Sequence, residues 1–472
     1  MLFHSLDFAI FLPIVFAIHW AIGDRHRRCR SGWLLAASYF FYGWWDWRFL
    51  SLIILSSGVD FFAARSMQAT KRTGRRRIWL GLSLLVNLSM LGIFKYAGFF
   101  LDSIEGMFTF FGRPIQFGDY SIVLPAGISF YTFQTLGYTI DVYRGKIRAV
   151  DDPVTFFAFV SFFPQLVAGP IERAGDLVPQ FFERRVFNES LARDGLRQML
   201  WGLTLKCLVA DNCGRFADVA FQTASTASPV TLWIGAIAFA FQIYGDFAGY
   251  SNIAIGVAKL FGFQLSRNFD LPYLARDPID FWRRWHITLS RWFRDYIYIP
   301  MGGSRGTPLR TIVNLIVVFA VSGLWHGAAW TFVLWGLYHA AIVAGYGWFF
   351  GRRWRVHSSG NRLSAVLSVA ITFGLVTIGW VIFRSPNLDA ASTYFIGMID
   401  VRRPLSFDYF PPRVTVLVVT LMGYEWIMRN RRHGLDLADR LPKLARWTIY
   451  HGLIAMIYAF GVTEQSFIYF QF

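Results

Sequence analysis

The chain has 472 residues, of which 55% are hydrophobic, 19% aromatic and only 16% charged, with a mean hydropathy of +0.41. A soluble body needs more polar surface than that, so lipid is the solvent for much of the chain, and runs too long and continuous for barrel strands give an all-α polytopic membrane protein. The formal net charge of +17 is spread over short loops, as cytoplasmic loops are, and no soluble basic domain exists to hold nucleic acid.

The first apolar run, residues 8–22, lacks a basic leader and a small-residue cleavage site and reads as a retained span. The basic loop DRHRRCR that follows belongs in the cytoplasm, which puts the N-terminus on the periplasmic side. Residues 33–45 and 49–64 pair around the aromatic turn WWDW, and RSMQATKRTGRRR returns to the cytoplasm. Residues 78–101 span outward to a mildly acidic loop. Residues 122–143 carry Pro125, Gly127, Gln134 and Asp141 and read as a broken or tilted span. Prolines 164, 170 and 179 predict re-entrant or surface pieces around PQLVAGPIER.

Residues 196–220 and 232–260 read as a further pair of spans. The second contains QIYGDFAGYSN, where Asp246 falls inside the apolar zone and calls for a partner such as an arginine. Spans at 367–383, 414–428 and 449–460 follow, with the C-terminus outside. The count is roughly eleven transmembrane helices plus re-entrant and interfacial helices, and no repeat or linker divides residues 1–472, so they read as a single domain.

The chemistry concentrates in residues 277–335. On one helix over 279–296, Trp282, Trp285, Leu289, Trp292 and Tyr296 form an aromatic stripe, with His286 at its edge and Arg283, Arg284, Arg291 and Arg294 on the other side. Two tasks fit these guanidinium groups: binding lipid phosphate at the interface, or holding the phosphates of a cytosolic anionic substrate such as coenzyme A. His286 serves either in direct chemistry or in ordering the site. His326 interrupts an apolar run within GLWHGAAW, where Gly323, Gly327 and Ala328 leave room for a substrate to approach the ring. A neutral imidazole in a dry pocket takes a proton from an attacking hydroxyl, the general-base role. The alternative is a histidine bonded to a neighbouring helix, which is the reading preferred for His339.

Other chemistry has little support. Cys29, Cys207 and Cys213 have neither metal-ligand nor disulfide spacing, and no phosphate-binding loop, HExxH or EF-hand loop occurs, so no metal is expected. The GGSRG of residues 302–306 reads as a tight turn.

FWRRWHITLSRWFRDYIYIPMGGSR and SGLWHGAAWTFVLWG, together with PQLVAGPIER, QIYGDFAGYSN, NFDLPYL and the terminal FIYFQF, resemble the membrane-bound O-acyltransferases. The resemblance is to the bacterial branch of alginate and peptidoglycan O-acetyltransferases and teichoic-acid D-alanyl transfer proteins, and it covers most of the chain. It implies a helical assembly around a central funnel, in which an acyl group passes from a cytosolic thioester to an extracytoplasmic acceptor. By this match His326 takes the place of the catalytic histidine and His286 that of the second histidine. Tyr469, in an F-x-Y-x-x-F motif anchored by Phe467 and Phe472, would carry the acyl group briefly; the alternative is aromatic packing at the interface. Where relatives often have Ser-Gly-Tyr-Ser-Asp this chain ends in Asn252.

The expectation is therefore an inner-membrane O-acetyltransferase with no permanent cofactor. Acetyl-CoA would be its donor, docked on the Arg283–Arg294 face with Trp285. A separate SGNH-type extracytoplasmic partner would esterify a polysaccharide such as alginate, cellulose or peptidoglycan. The account needs the His326 ring to be reachable from both faces of a thinned barrier. Other readings are a transporter or channel using the Asp246 patch, and an acyltransferase acting on a lipid or lipid-linked sugar.

Overall fold

The computed structural model describes residues 1–23, 26–118, 122–357, 362–408, 411–436, 438–461 and 467–468. Among them every regular element is helical. Six helical stretches are long and apolar enough to cross a membrane: Arg27–Ala69, Thr73–Phe110, Pro229–Leu260, Pro308–His326, Trp330–Phe349 and Leu363–Arg384. The remaining stretches read as spans are shorter, as in Leu6–Ala21, or interrupted and more charged, as in Glu189–Leu203 and Asp211–Gln222 on either side of a π-helical turn at Thr204–Ala210.

The chain forms two compact units, one of residues 1–196 and 253–266, the other of 197–252 and 267–472. In the first, the helix ends follow local chemistry. The Ser5 hydroxyl accepts the Phe8 N–H, and the Asp152 carboxylate accepts that of Thr155 with Pro153 opening the helix. The WWDW turn is a short 3₁₀ segment, Trp47–Phe49, capped by Asp46. The 122–143 stretch is broken as its composition predicts, since its helix starts only at Ile128, after Gly127 at φ 73°. Inside this unit the Asp60 carboxylate is fully buried; it accepts from the Ser83 hydroxyl, and its Oδ1 and Oδ2 both accept from Asn87 Nδ2, at 3.1 and 3.0 Å, while Ser56 donates to Asn87 Oδ1 at 2.6 Å. A polar group withdrawn from water costs several kcal/mol unless it finds such partners, so the Leu50–Ala69 and Thr73–Leu91 helices are locked in one register.

The second unit has an aromatic core. Trp285, Trp335 and Trp380 are all but completely buried, with Trp285 and Trp380 centroids 4.8 Å apart and Trp335 and Trp380 5.8 Å apart. Tyr244 joins them and donates its hydroxyl to buried Glu425 at 2.5 Å. Against this core the Pro308–His326 and Trp330–His357 helices pack backbone to backbone. A Cβ on Gly323 would lie 2.1 Å from the Phe332 carbonyl oxygen, and one on Gly336 would lie 2.2 Å from that of Phe319. Each helix thus presents a glycine to the other's main chain, the small-residue contact by which helices associate where no hydrophobic driving force exists between them.

The Gly336→Ala variant is therefore expected to force these helices apart and cost about 1–3 kcal/mol, the usual toll of overpacking. Thermal unfolding of the detergent-solubilised protein checks this, and an unchanged midpoint would contradict the contact.

Candidate active site

The segment from Asp277 to Tyr298 builds one half of the site, and it differs from the single helix predicted over 279–296. The Asp277 carboxylate caps the Asp280 N–H at 2.8 Å and starts a helix at Pro278, which ends at Arg284. Trp285 is extended, His286 is left-handed at φ 40° and ψ 56°, and a second helix runs from Ile287 to Phe293 before a π-helical turn at Arg294–Tyr298. The cause lies outside the segment. Asn268 and Asp270 run alongside the break: the Ile287 N–H donates to the Asn268 carbonyl at 2.9 Å and the Asp270 N–H to the Arg284 carbonyl at 3.0 Å. The Asn268 side chain accepts from the Thr288 hydroxyl at 2.6 Å and donates to the Ser251 hydroxyl at 3.1 Å. Backbone groups freed by the break are thus satisfied, which outweighs the 1–2 kcal/mol or so that a non-glycine residue loses in the left-handed region.

The break turns His286 inward. Its ring is fully buried, edge-on to Phe247 at 4.6 Å and 5.7 Å from Trp325. His326, the last residue of its helix, supplies the other half, and the two imidazole centroids lie 6.3 Å apart. Both sequence-predicted histidines therefore meet within one unit of the fold.

His326 is only 3% exposed, enclosed by Trp325 and Trp335 at 5.0 Å and Phe383 at 5.5 Å. Two of the small residues expected to make room beside it, Gly323 and Gly327, lie against a neighbouring helix. A Cβ on Gly327 would lie 2.0 Å from the Phe332 ring, and Gly323 meets the Phe332 backbone, so these glycines admit the neighbouring helix. Among the described residues these three rings stand close about the imidazole. His339 is fully buried, edge-on to Trp282 at 5.0 Å and Trp335 at 4.9 Å, a histidine packed among rings.

Arg283 and Arg284 end the first helix of the broken segment, Arg291 lies in the second and Arg294 opens the π-helical turn, so the four do not lie on one continuous helix. Arg284 is half-buried and tied to Asp280 at 2.9 Å and to the Asp270 carbonyl; Arg294 is exposed and grips both oxygens of Asp295 at 2.7 and 3.2 Å. Arg283 and Arg291 are exposed. Trp285 has no exposed surface and stacks on Phe281 at 5.5 Å, so it supports the kink from within the core.

Asp246 has a partner, and it is a lysine where an arginine was anticipated. Lys206 Nζ lies 2.7 Å from Asp246 Oδ1 and 2.9 Å from Asp211 Oδ1, all three side chains being 5% exposed or less. The other Asp246 oxygen accepts the backbone N–H of Ile468 at 2.6 Å. Phe467 and Ile468 are buried, and Phe467 lies 4.8 Å from Tyr250. Tyr469 and Phe472 fall outside the described residues. Lys206, Asp211 and Asn268 were missed at the sequence level, although a lysine within LTLKCLVAD, inside a stretch read as a span, is itself a signal for a buried partner.

Comparison with known proteins gives a consistent pattern. The family model described as MBOAT, membrane-bound O-acyltransferase family, matches residues 146–357, which contain both histidines. The chain is 40% identical over 402 residues to a probable alginate O-acetylase from Azotobacter vinelandii, covering 84% of this chain and 78% of the relative. It is 37% identical over 398 residues to a peptidoglycan O-acetyltransferase from Helicobacter pylori, covering 78% and 73%. A teichoic acid D-alanyltransferase from Bacillus subtilis is 27% identical over 270 residues, covering 54% of this chain and 68% of the relative.

The Asn268→Ala variant leaves the buried hydroxyls of Thr288 and Ser251 without this partner and is expected to cost about 2–4 kcal/mol in stability. A chemical-denaturation midpoint equal to the wild type would contradict the role given to the Asn268 loop.

Proposed function

Because the chain belongs to the membrane-bound O-acyltransferase family, and so is a multi-pass membrane acyltransferase, we propose that it is an inner-membrane O-acetyltransferase that modifies an extracytoplasmic polysaccharide. Acetyl-CoA is the donor, entering from the cytoplasm, with exposed Arg283 and Arg291 attracting its phosphates and Arg284 and Arg294 adding to the field around them. The N-terminus lies on the periplasmic side, and residues 1–472 act as one functional domain.

The observation that carries this reading is the pair of imidazoles 6.3 Å apart among aromatic rings, brought together from positions 286 and 326. A buried, neutral imidazole is a base that bulk water does not compete for. The phenolic oxygen of Tyr469 attacks the thioester carbonyl while His326 removes its proton; the carbon–sulfur bond breaks, and the leaving thiolate recovers that proton from the imidazolium. His286 lies close enough to orient and polarise the reacting groups. The products are free coenzyme A and an acetyl ester on Tyr469, which a serine of a separate SGNH-type partner then accepts and passes to the polymer hydroxyl. The enclosure by Trp325, Trp335 and Phe383 fits a site that opens to the donor and then closes, which keeps water from hydrolysing the ester. The names of the relatives, alginate and peptidoglycan O-acetylases, favour a polysaccharide as final acceptor.

Removing a general base typically costs two to four powers of ten in rate, so His326→Ala should lower polymer acetylation about 100-fold or more at equal expression. Wild-type acetylation in that strain would sink the proposal. For the carrier, mass spectrometry of the C-terminal peptide after incubation with labelled acetyl-CoA should find the label on Tyr469 and lose it in Tyr469→Phe; label that persists on the variant peptide places the adduct elsewhere.

A further inference from the structure

At one end of the second unit a cleft of about 580 Å³ lies between the Asp211–Gln222 and Pro412–Met428 helices. Each helix contributes one arginine to it, Arg215 and Arg413, and Phe216, Val219 and Val414 are among its apolar walls. Phe460 is held beside it: Asn212 donates to the Phe460 carbonyl at 3.1 Å, where the Lys443–Phe460 helix ends, and the Arg413 guanidinium stands 5.3 Å from the centre of the Phe460 ring. A guanidinium held by its face keeps its N–H edge for a further partner.

The neighbouring carboxylates do not supply that partner. The acidic residues closest in sequence to the two arginines are engaged elsewhere: Asp211 with Lys206 at 2.9 Å, Asp218 with Arg384, and Asp408 with the Ser228 N–H at 2.5 Å. Arg215 and Arg413 are exposed, and neither makes an ion pair among the described residues. Two like charges on one cleft repel each other, and an anion between them replaces that repulsion by attraction.

The adjoining surface shows what kind of anion fits. From Arg413 one face of the Pro412–Met428 helix runs through Val416, Val419, Trp426 and Ile427, which are between 50% and 74% exposed. Arg429 closes this face, its guanidinium 4.9 Å from the centre of the Trp426 ring. From 413 to 429 the chain rises about 24 Å at ~1.5 Å per residue, close to the ~30 Å of a bilayer's hydrocarbon core. In a membrane protein such a face meets acyl chains, and the arginines at its two ends mark headgroup depth.

We infer that this cleft binds an anionic glycerophospholipid, its phosphate between Arg215 and Arg413 and an acyl chain along Val416 and Val419. Arginine suits a phosphate because its fork of donors matches two oxygens at once. The site is separate from the histidine pair, and it stands whether or not the acyl-transfer reading does.

The experiment titrates the purified, delipidated full-length chain in non-ionic detergent with dioleoyl-phosphatidylglycerol and counts bound lipid by native mass spectrometry. The wild type should keep one lipid that the Arg215→Gln, Arg413→Gln double variant releases, its affinity falling about 100-fold, roughly tenfold for each guanidinium. Arg402→Gln, which removes an exposed arginine outside the cleft, should bind as the wild type does. On the wild type, phosphatidylcholine with the same chains should bind about tenfold more weakly, because its choline brings a positive charge to the arginines. Inorganic phosphate, and glycerophosphoglycerol as the headgroup without chains, should not displace the lipid when present in excess. The inference is overturned if the double variant retains the lipid at wild-type affinity, or if Arg402→Gln loses it equally. It is also overturned if inorganic phosphate displaces the lipid, which makes the cleft a site for free anions, or if an oligouronate does, which makes it a site for acidic sugar.

Discussion

The pairing of the Asn268 loop with the break at Trp285–His286 is the constraint on which the site depends. A buried helix that stops and restarts frees backbone donors and acceptors, and these must be satisfied from within the protein. Here the loop does so at both ends of the break, taking the Ile287 N–H and giving its own N–H to the Arg284 carbonyl. Ser251 and Thr288, joined through the Asn268 side chain, tie the Pro229–Leu260 helix to the second half of the broken segment. Only with that bracing does His286 hold a left-handed backbone and a fully buried ring. A continuous helix would have carried the ring along the stripe, where nothing turns it towards position 326.

The second constraint is the closeness of the Pro308–His326 and Trp330–His357 helices. Glycines facing carbonyls bring the two main chains together, and Phe332 fills the space beside Gly327. That packing delivers Trp335 and Phe383 to the His326 ring as walls. The same feature that positions the imidazole therefore also sets rings against it, so position and cover are coupled. In the proposed mechanism this coupling is useful, since an acyl ester is best formed where water is absent.

Much of this was legible in the sequence, and the failures have definite causes. Histidines 286 and 326 stand out because polar residues in apolar runs are rare and require partners. Ser5, Asp152 and Asp277 cap helices in the structure, a signal in residue type that the reading of the spans did not use. The continuous helix over 279–296 was a fair reading of the period, yet periodicity is blind to a loop 268 residues into the chain that hydrogen-bonds across a break. Gly323 and Gly327 were ambiguous by nature, because a missing side chain admits either a ligand or a neighbouring backbone. Asp246 was recognised as needing a countercharge, but its partner was named by residue type, and the lysine within another stretch of apolar residues was passed over. The arginines misled for a related reason: a helical wheel assigns them one face only if the helix is unbroken.

The claim at the centre of this account is that the thioester reaches the two imidazoles when an aromatic wall gives way. A structure of the protein with a non-reactive thioether analogue of acetyl-CoA tests it most directly. The account predicts the analogue's carbonyl carbon within about 5 Å of the His326 ring, near enough for a hydroxyl at attack distance to share a proton with it, and the Trp325, Trp335 or Phe383 ring displaced from its present place. An analogue held elsewhere, with the His326 ring still enclosed as it is here, would contradict it.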